Sequence, residues 1–335
     1  MSPGSARYAA PVQSMTKRRL SPDALDTMLR AAMGVGCHVE AELCDGWFNT
    51  AYRIRLDDGR GAVVKLAPPR QTPVLRYERG ILATEALVYR LASAVPDIPL
   101  PELLHADEEF LVLSALSGAP WDKARDQLPA EATPVLLREL GRITARLHTI
   151  VAPDEQFGYP APESALTRGT WREAFTAMVA AVLVDAQHWR CPLGMTPDEV
   201  LALVDAHADA LDDVDTPTLV HFDLWPGNIF VTGDGEPRIT GLIDHERAFW
   251  GDAAAELVSL EFCGPIDAHS ELVAGYREAG GRLDFDESLI RRLALYRLYL
   301  GLILVIECGP RGYGPEHLAF CQDMLANWAT ALRDL

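Results

Sequence analysis

The stretch of sequence that decides the fold covers residues 216–246 and reads TPTLVHFDLWPGNIFVTGDGEPRITGLIDHE. Two short apolar runs with a glycine-containing turn between them are typical of a β-hairpin. The runs are residues 229–231 and 239–243, and the turn is residues 233–235. The sequence therefore predicts a loop, then a hairpin, and then an acidic residue at the end of the second strand.

Four polar residues flank this predicted hairpin. His221, Asp223 and Asn228 have the spacing H-x-D-x-x-x-x-N, and Asp244 follows Asn228 after sixteen positions. This spacing matches the catalytic loop and metal-binding Asp of kinase-fold enzymes. Phosphoryl transfer needs a carboxylate beside the attacking hydroxyl and oxygen ligands for Mg²⁺. We therefore interpret Asp223 as the base and Asn228 and Asp244 as magnesium ligands. An ordinary hairpin with exposed acids is the alternative, which the complete spacing disfavours.

The same residues carry a resemblance to a known family. HFDLWPGN at 221–228 and IDHE at 243–246 resemble the motifs H-G-D-x-x-x-x-N and I-D-x-E of the aminoglycoside phosphotransferase (APH)/choline kinase-like family of small-molecule kinases. The resemblance implies a protein-kinase-like, two-lobed α+β fold with a small antiparallel β-sheet N-lobe and a larger, mainly helical C-lobe. It also implies Mg²⁺ as cofactor and ATP as phosphoryl donor, with GTP left open. His221 and Glu246 would have supporting roles.

Two residues of the loop depart from the common motif. Phe222 takes the place of a usual Gly, so we expect the substrate-side wall of the loop to differ. Trp225 is closer to the ketosamine-kinase branch than to the commonest antibiotic kinases. Ordinary protein kinases fit less well, because Phe rather than Arg lies between His221 and Asp223, and no long activation segment follows Asp244.

An apolar strand upstream contains a lysine that we interpret as a nucleotide ligand. The chain has 3 lysines and 27 arginines, so Lys65 within Val-Val-Lys indicates a need for a compact ammonium group. Glu85 is the expected ion-pair partner, because it lies 20 residues later on a helix predicted over about 76–94. Glu78 is the competing candidate. An edge-strand lysine that reaches solvent is the alternative for Lys65.

Two further segments resemble nucleotide-binding parts of the family. Gly46 and Asn49 lie between predicted strands in a loop similar to the family's nucleotide-covering hairpin, whose backbone amides face the phosphates. Residues 114–118 resemble the family's hinge, which implies adenine contacts at the backbone of Ser114 and Leu116. These backbone contacts leave no side-chain signature, so they do not distinguish ATP from GTP.

Glycine and proline residues after the hinge mark the boundary between two lobes. We expect a nucleotide-binding N-lobe over residues 21–116 and a C-lobe over residues 117–335, which holds the catalytic loop and the acceptor-binding helices. Residues 1–20 are expected to form a disordered tail, within which either Met1 or Met15 is the true start.

Helical periodicity predicts the helices of the C-lobe at about 134–150, 169–189, 197–211, 267–279, 286–307 and 315–333. The segment GDAAAEL at 251–257 resembles the family's G-D-P-x-x-D-L, which opens a helix under the site. Ala253 replaces Pro and Glu256 replaces Asp, so we expect the structural role of the segment to persist.

Composition excludes several classes of protein. The chain has 335 residues and is 49% hydrophobic, which is enough for one two-lobed unit or two domains. The apolar run at 298–306 is too short to span a bilayer, and residues 1–17 lack the core of a signal peptide, so we expect a cytoplasmic protein. The six cysteines form no C-x-x-C pair, so neither a metal site nor a disulfide framework is expected. The P-loop motif is absent from the sequence.

Charge is distributed unevenly along the chain. Residues 1–116 carry 13 basic and 14 acidic side chains, whereas the remainder carries 17 and 34. Because the acidity belongs to the half expected to bind the acceptor, it favours a cationic acceptor and disfavours nucleic acid as a partner. An acidic surface that aids solubility is the alternative.

The sequence thus predicts an enzyme that transfers the γ-phosphoryl group of ATP to a hydroxyl of a small molecule. The preferred acceptor is an antibiotic of the aminoglycoside, peptide, nucleoside or macrolide class, in a resistance or self-protection role. The first alternative is a metabolic kinase for a ketosamine, sugar, choline-like or amino-alcohol substrate. The second is a catalytically silent binding protein on the same fold, which the joint retention of Lys65, Asp223, Asn228 and Asp244 disfavours. The sequence does not determine the acceptor or the oligomeric state.

Overall fold

A computed structural model describes residues 14, 16–44, 46, 48–129, 131–233 and 235–335. The smaller of its two lobes is built on a five-stranded antiparallel sheet with the strand order β1-β2-β3-β5-β4. The strands are β1 (Cys37–Leu43), β2 (Thr50–Leu56), β3 (Gly61–Leu66), β4 (Leu103–Ala106) and β5 (Phe110–Ser114). Alternate side chains of β2 and β3 are buried, as expected for strands with one face on a core.

Helix α1 (Pro22–Met33) packs on one face of this sheet. Its N-cap residue Ser21 accepts a hydrogen bond from the backbone N–H of Ala24, and it ends at Gly34 with a φ of 72°, where glycine avoids the strain of a Cβ.

Helix α2 (Ile81–Ala92) is shorter than the helix predicted over 76–94. Gly80 interrupts it with a φ of 71°, and residues Arg76–Glu78 form a separate 3₁₀ turn. A Cβ at Gly80 would lie 2.8 Å from the Cβ of Ala161, so the position favours glycine for its space as well as its φ. The break separates Glu78 from the helix that carries Glu85.

Residues just before α1 are packed on the sheet. The Thr16 hydroxyl donates to the Phe48 carbonyl, and the Arg18 guanidinium pairs with Glu109. The Leu20 N–H donates to the Tyr52 hydroxyl at 3.0 Å. The predicted disorder of residues 1–20 is therefore wrong for residues 16–20, while residues 1–13 and 15 lie outside the described part of the chain.

The larger lobe is mainly helical. Its helices are α3 (Trp121–Ala124), α4 (Ala132–Leu147), α5 (Trp171–Trp189), α6 (Pro197–Asp205), α7 (Leu257–Leu260), α8 (Glu271–Glu278), α9 (Glu287–Arg311) and α10 (Pro315–Arg333). Helix α6 ends before the predicted 211, because residues Ala208–Asp213 form a 3₁₀ helix instead. Helix α9 runs through the main core and packs against α5 and α10. The predicted fold of an antiparallel N-lobe and a helical C-lobe is confirmed.

Two small sheets hold the stretch of residues 216–246. Strands β8 (Ile229–Thr232) and β9 (Arg238–Leu242) form the predicted hairpin, and β6 (Ala119–Pro120) pairs with β8. Strand β7 (Thr218–Val220) pairs with β10 (Phe249–Gly251), a pairing that the sequence did not predict. Because β7 and β10 lie side by side, the loop that follows β7 and the loop that precedes β10 are held together.

Across the part of the chain that the structure describes, no helix combines the length and apolar character needed to cross a bilayer.

Candidate active site

The loop after β7 is anchored by one buried carboxylate, that of Glu256. Glu256 accepts hydrogen bonds from the backbone N–H of His221 at 2.6 Å and of Phe222 at 3.0 Å. Burial alone would raise the pKa of Glu256, but His148, whose Nε2 lies 3.9 Å from the carboxylate, and His221 with its backbone N–H hold that pKa below the usual Glu range. The segment at 251–257 thus supports the loop with Glu in place of the family's Asp.

Phe222 has an unusual backbone conformation for a bulky residue. Its φ is 60°, in the left-handed region that costs a residue with a Cβ roughly 1–2 kcal/mol. Its ring is 1% exposed and lies 5.0 Å from the ring of Phe249 and 5.8 Å from that of Tyr299. The expectation that Phe222 reshapes the substrate-side wall is therefore wrong for its side chain, which fills the C-lobe core.

His221 joins the two ends of the hairpin. Its Nε2 donates to the Ile243 carbonyl at 3.0 Å, and its Nδ1 accepts from the Asp223 N–H at 3.2 Å. This pairing defines a neutral imidazole with the proton on Nε2, and burial lowers the pKa of His221 accordingly. The ring orients the backbone at Asp223.

Asp223 is held by two side chains. The Asn228 Nδ2 donates to the Asp223 carbonyl at 2.9 Å and to its Oδ2 at 3.1 Å, and the Arg247 Nη1 lies 3.2 Å from Oδ1. Burial raises the pKa of Asp223 to about 7, with the Asp244 charge adding to the rise and the Arg247 charge opposing it. A carboxylate with a pKa in this range is suited to accept a proton near neutral pH.

Arg247 belongs to a buried network of charges that the sequence analysis did not identify. Its Nη2 lies 2.5 Å from Glu307 on α9, which also pairs with Arg311 at 2.5 Å. Arg311 pairs in turn with Glu78 at 2.7 Å. The competing candidate Glu78 is thereby engaged away from Lys65. The sequence contains one sign of this network, because Glu307 directly follows the apolar run at 298–306 and a buried glutamate needs a charged partner.

Lys65 on β3 lies among three carboxylates. Its Nζ is 2.6 Å from Glu85 Oε2, 2.6 Å from Asp244 Oδ1 and 3.7 Å from Glu246 Oε2. Burial lowers the pKa of Lys65, but the charges of Asp244, Glu85 and Glu246 outweigh it and raise that pKa well above its ordinary value. The predicted pairing of Lys65 with Glu85 is present, and the lysine also bridges to the C-lobe.

The oxygen atoms around Lys65 are of the type that a hard cation prefers. One carboxylate oxygen from each of Glu85, Asp244 and Glu246 lies within 4.8 Å of the others. Asp244 has a φ of 69°, a conformation that Asp tolerates better than most residues. Asn228, with its Nδ2 turned to Asp223, can offer its Oδ1 to a cation. The donor set fits Mg²⁺, which takes oxygen ligands.

The N-lobe loop that contains Gly46 and Asn49 is tied to this cluster. The Asn49 Nδ2 donates to Glu246 Oε2 at 2.5 Å, which connects the loop to the C-lobe. The Lys17 Nζ donates to the Gly46 and Asn49 carbonyls at 2.5 Å each. Lys17 lies in the segment predicted to be disordered, so its contacts with the loop were not predicted.

The two predicted hinge residues lie between the lobes. The Ser114 N–H donates to the Glu102 carbonyl at 2.9 Å, so a contact of a bound adenine with Ser114 would involve its carbonyl oxygen. The Leu116 side chain covers Gly241 on β9, where an added Cβ would lie 2.3 Å from Leu116 Cδ1. Adenine binding at these residues stays a prediction.

A known protein family matches most of the chain. The model of a family described as "Phosphotransferase enzyme family" (APH) matches residues 41–296. The search of curated proteins gave no match.

Solved structures share the fold along nearly the whole chain. A protein described as a fructosamine-3-kinase, from Thermobifida fusca YX-ER1, is 23% identical with a TM-score of 0.69, covering 94% of this chain and 100% of its own. A macrolide 2'-phosphotransferase type I is 19% identical with a TM-score of 0.62, covering 92% and 98%. A thermostable mutant of an aminoglycoside phosphotransferase, in a ternary complex with AMP-PNP and hygromycin B, is 21% identical with a TM-score of 0.61, covering 92% and 98%. At these identities, the likeness concerns the fold.

Proposed function

Because the chain belongs to the phosphotransferase enzyme family, we propose that it transfers the γ-phosphoryl group of ATP to a hydroxyl group of a small molecule. The observation that carries this proposal is the convergence of groups from both lobes. Lys65 of the N-lobe lies 2.6 Å from Asp244 of the C-lobe, and Asp223 is held beside them on the adjoining loop. Phosphoryl transfer needs a cation that contacts the phosphates, oxygen ligands for a metal ion and a carboxylate base, and residues of all three kinds lie in this cluster.

Asp223 would act as the base toward the acceptor hydroxyl. Its Oδ1 faces Arg247 and its Oδ2 faces Asn228, so the carboxylate has a defined orientation before any substrate binds. Its pKa of about 7 allows it to take the hydroxyl proton as the oxygen bonds to phosphorus. Once Asp223 is protonated, the Glu307 carboxylate would still balance the positive charge of Arg247.

The remaining residues would position the nucleotide. Lys65, oriented by Glu85, would contact the phosphates, and the backbone near Gly46 and Asn49 would cover them. Asn228 and Asp244 would hold Mg²⁺, with Glu246 in a supporting role. When bound, Mg²⁺ neutralises charge on the β- and γ-phosphate oxygens.

A cationic, hydroxyl-rich antibiotic is the acceptor we favour. The residues after 116 carry 17 basic and 34 acidic side chains, so the lobe expected to bind the acceptor attracts cations. Trp225, two residues from Asp223, is 41% exposed, and its ring covers Gly227, where a Cβ would lie 2.2 Å from the indole. An exposed indole held beside the base offers a flat apolar surface for a sugar ring.

A ketosamine acceptor is the second candidate. Trp225 is the observation that favours it, because the tryptophan at this position of the loop is closer to the ketosamine-kinase branch of the family. Both candidates place a sugar hydroxyl beside Asp223, and they differ in what the rest of the acceptor carries.

Transfer is tested with the full chain, ATP, Mg²⁺ and a panel of antibiotics and ketosamines, with products detected by the mass of one added phosphate. We expect Asp223→Asn to abolish transfer while ATP binding is kept, because the base contributes to the reaction and not to nucleotide affinity. Asp323→Asn is the matched control, since this aspartate is exposed on α10 and far along the chain from the loop. Equal transfer by Asp223→Asn and the unmodified chain would refute the role of Asp223.

The two acceptor classes are separated in a sensitive bacterial host. Expression of the unmodified chain, but not of Asp223→Asn, should raise tolerance to the antibiotic that is phosphorylated in vitro. Phosphorylation of a ketosamine with unchanged tolerance to every drug of the panel would overturn the antibiotic assignment and support the second candidate.

A further inference from the structure

Two cysteines and a histidine converge where the last two helices of the C-lobe meet. Cys308 lies in the last turn of α9, and His317 and Cys321 lie in the first half of α10. The two sulfurs and one imidazole nitrogen lie within 4.8 Å of one another. None of these side chains takes part in the phosphoryl transfer described above.

The local sequence explains why the three side chains meet. His317 and Cys321 are four residues apart on one helix and therefore share a face. Gly312 ends α9 with a φ of 65°, and Pro315 begins α10 only three residues later, so the turn between the helices is short. The short turn places Cys308 opposite the face that carries the other two.

We propose that Cys308, His317 and Cys321 form a binding site for one Zn²⁺ ion. Two thiolates and an imidazole are ligands that zinc prefers, and a water molecule would complete a tetrahedral site. Zn–S bonds of about 2.3 Å place two tetrahedral sulfurs about 3.8 Å apart, so the ligand atoms need to close by no more than about 1 Å. Binding releases the two thiol protons and changes no oxidation state.

The surroundings suit a bound ion that is shielded but accessible. Cys308 and Cys321 are 8% and 1% exposed, while His317 is half-buried and leaves one side of the site open to solvent. Cys191 is nearby on another segment, but its sulfur does not belong to the group of ligand atoms that lie within 4.8 Å of one another. The ligand set is therefore the three residues of the helix pair.

The site would clamp the end of α9 that supports the catalytic loop. Glu307 precedes Cys308, and Arg311 follows three residues later, and both belong to the network that holds Arg247 against Asp223. A bound ion is expected to stabilise this helix pair, because an ion that binds only the folded chain shifts the folding equilibrium toward it. The proposal is independent of which acceptor the enzyme uses.

The test begins with the full, tag-free chain purified under reducing conditions without metal-affinity chromatography. After incubation with ZnSO₄ and removal of free metal, zinc per chain is measured by mass spectrometry of the elements. We expect about one equivalent in the unmodified chain and in the control Cys37→Ser, whose thiol lies on β1. We expect the zinc to be lost in Cys321→Ser and in His317→Gln.

Two further measurements keep the test decisive if Cys321→Ser folds poorly. Co²⁺ added to the unmodified chain should give the visible absorption of a tetrahedral thiolate complex, and removal of zinc with a chelator should lower the thermal unfolding midpoint. Absence of bound zinc in the reduced unmodified chain, retention of zinc by His317→Gln, or a Cys308–Cys321 disulfide in the freshly purified protein would each overturn the proposal.

Discussion

Replacing Phe222 by glycine, the residue usual in the family motif, is expected to destabilise the protein. The ring is 1% exposed between Phe249 and Tyr299, and loss of such a ring costs about 3–5 kcal/mol of folding free energy. Glycine regains about 1–2 kcal/mol, because a φ of 60° no longer strains a Cβ. Its greater freedom in the unfolded chain costs roughly 0.5–1 kcal/mol. The net destabilisation is therefore about 1.5–5 kcal/mol.

The separate effects of ring loss and strain relief on stability are tested by comparing Phe222→Gly with Phe222→Ala in urea unfolding. Both variants lose the ring, but only alanine keeps the backbone strain, so the alanine variant should be the less stable of the two by about 1 kcal/mol. The slopes of the unfolding transitions should agree if the comparison is to report stability. A glycine variant as stable as the unmodified chain would show that the ring contributes nothing, and a glycine variant less stable than the alanine variant would refute the strain at position 222.

Three further predictions concern the groups around the loop. Glu256→Gln should cost about 1.5–3 kcal/mol, because the carboxylate that accepts two backbone N–H groups loses its charge. Because the folded-state pKa of Glu256 is depressed, the stability lost in Glu256→Gln should be greatest above the ordinary Glu pKa of about 4.3. The loss should shrink as pH falls through the folded-state pKa, as urea unfolding at several pH values would show. Lys65→Met should abolish phosphoryl transfer. It should also destabilise the nucleotide-free protein by about 3–5 kcal/mol, because three carboxylates lose their shared cation. Unchanged thermal stability would contradict this. Glu307→Gln should lower kcat by about 10–100-fold with little change in the KM for ATP, because Arg247 loses the partner that positions it against Asp223; a change confined to KM would contradict this.

Much of the candidate site could be predicted because it is local in sequence. His221, Asp223 and Asn228 lie on one loop, and the hairpin that follows brings Asp244 back to it over a distance of sixteen residues. The partner of Lys65 was predictable for a related reason, since a strand and the following helix hold Lys65 and Glu85 close together. Such spacings follow from the geometry of strands, turns and helices, so contacts of this kind can be predicted from the sequence alone.

The errors have physical causes of their own. The helix predicted over 76–94 included Gly80, whose left-handed backbone divides it and directs Glu78 toward Arg311. The disorder predicted for residues 1–20 rested on the lack of a hydrophobic pattern. Hydrophobic periodicity does not predict polar contacts such as the hydrogen bond from the Lys17 Nζ to the Asn49 carbonyl.

The sequence by itself determined the phosphotransferase family, the loop proposed to carry the reaction and the order of the elements, because each depends on residues that are close along the chain. Only the tertiary structure decided which charges meet in the core. Arg247 and Glu307 are 60 residues apart, and no periodicity relates them. Such pairs are selected by the packing of whole helices, a property that no single stretch of sequence contains.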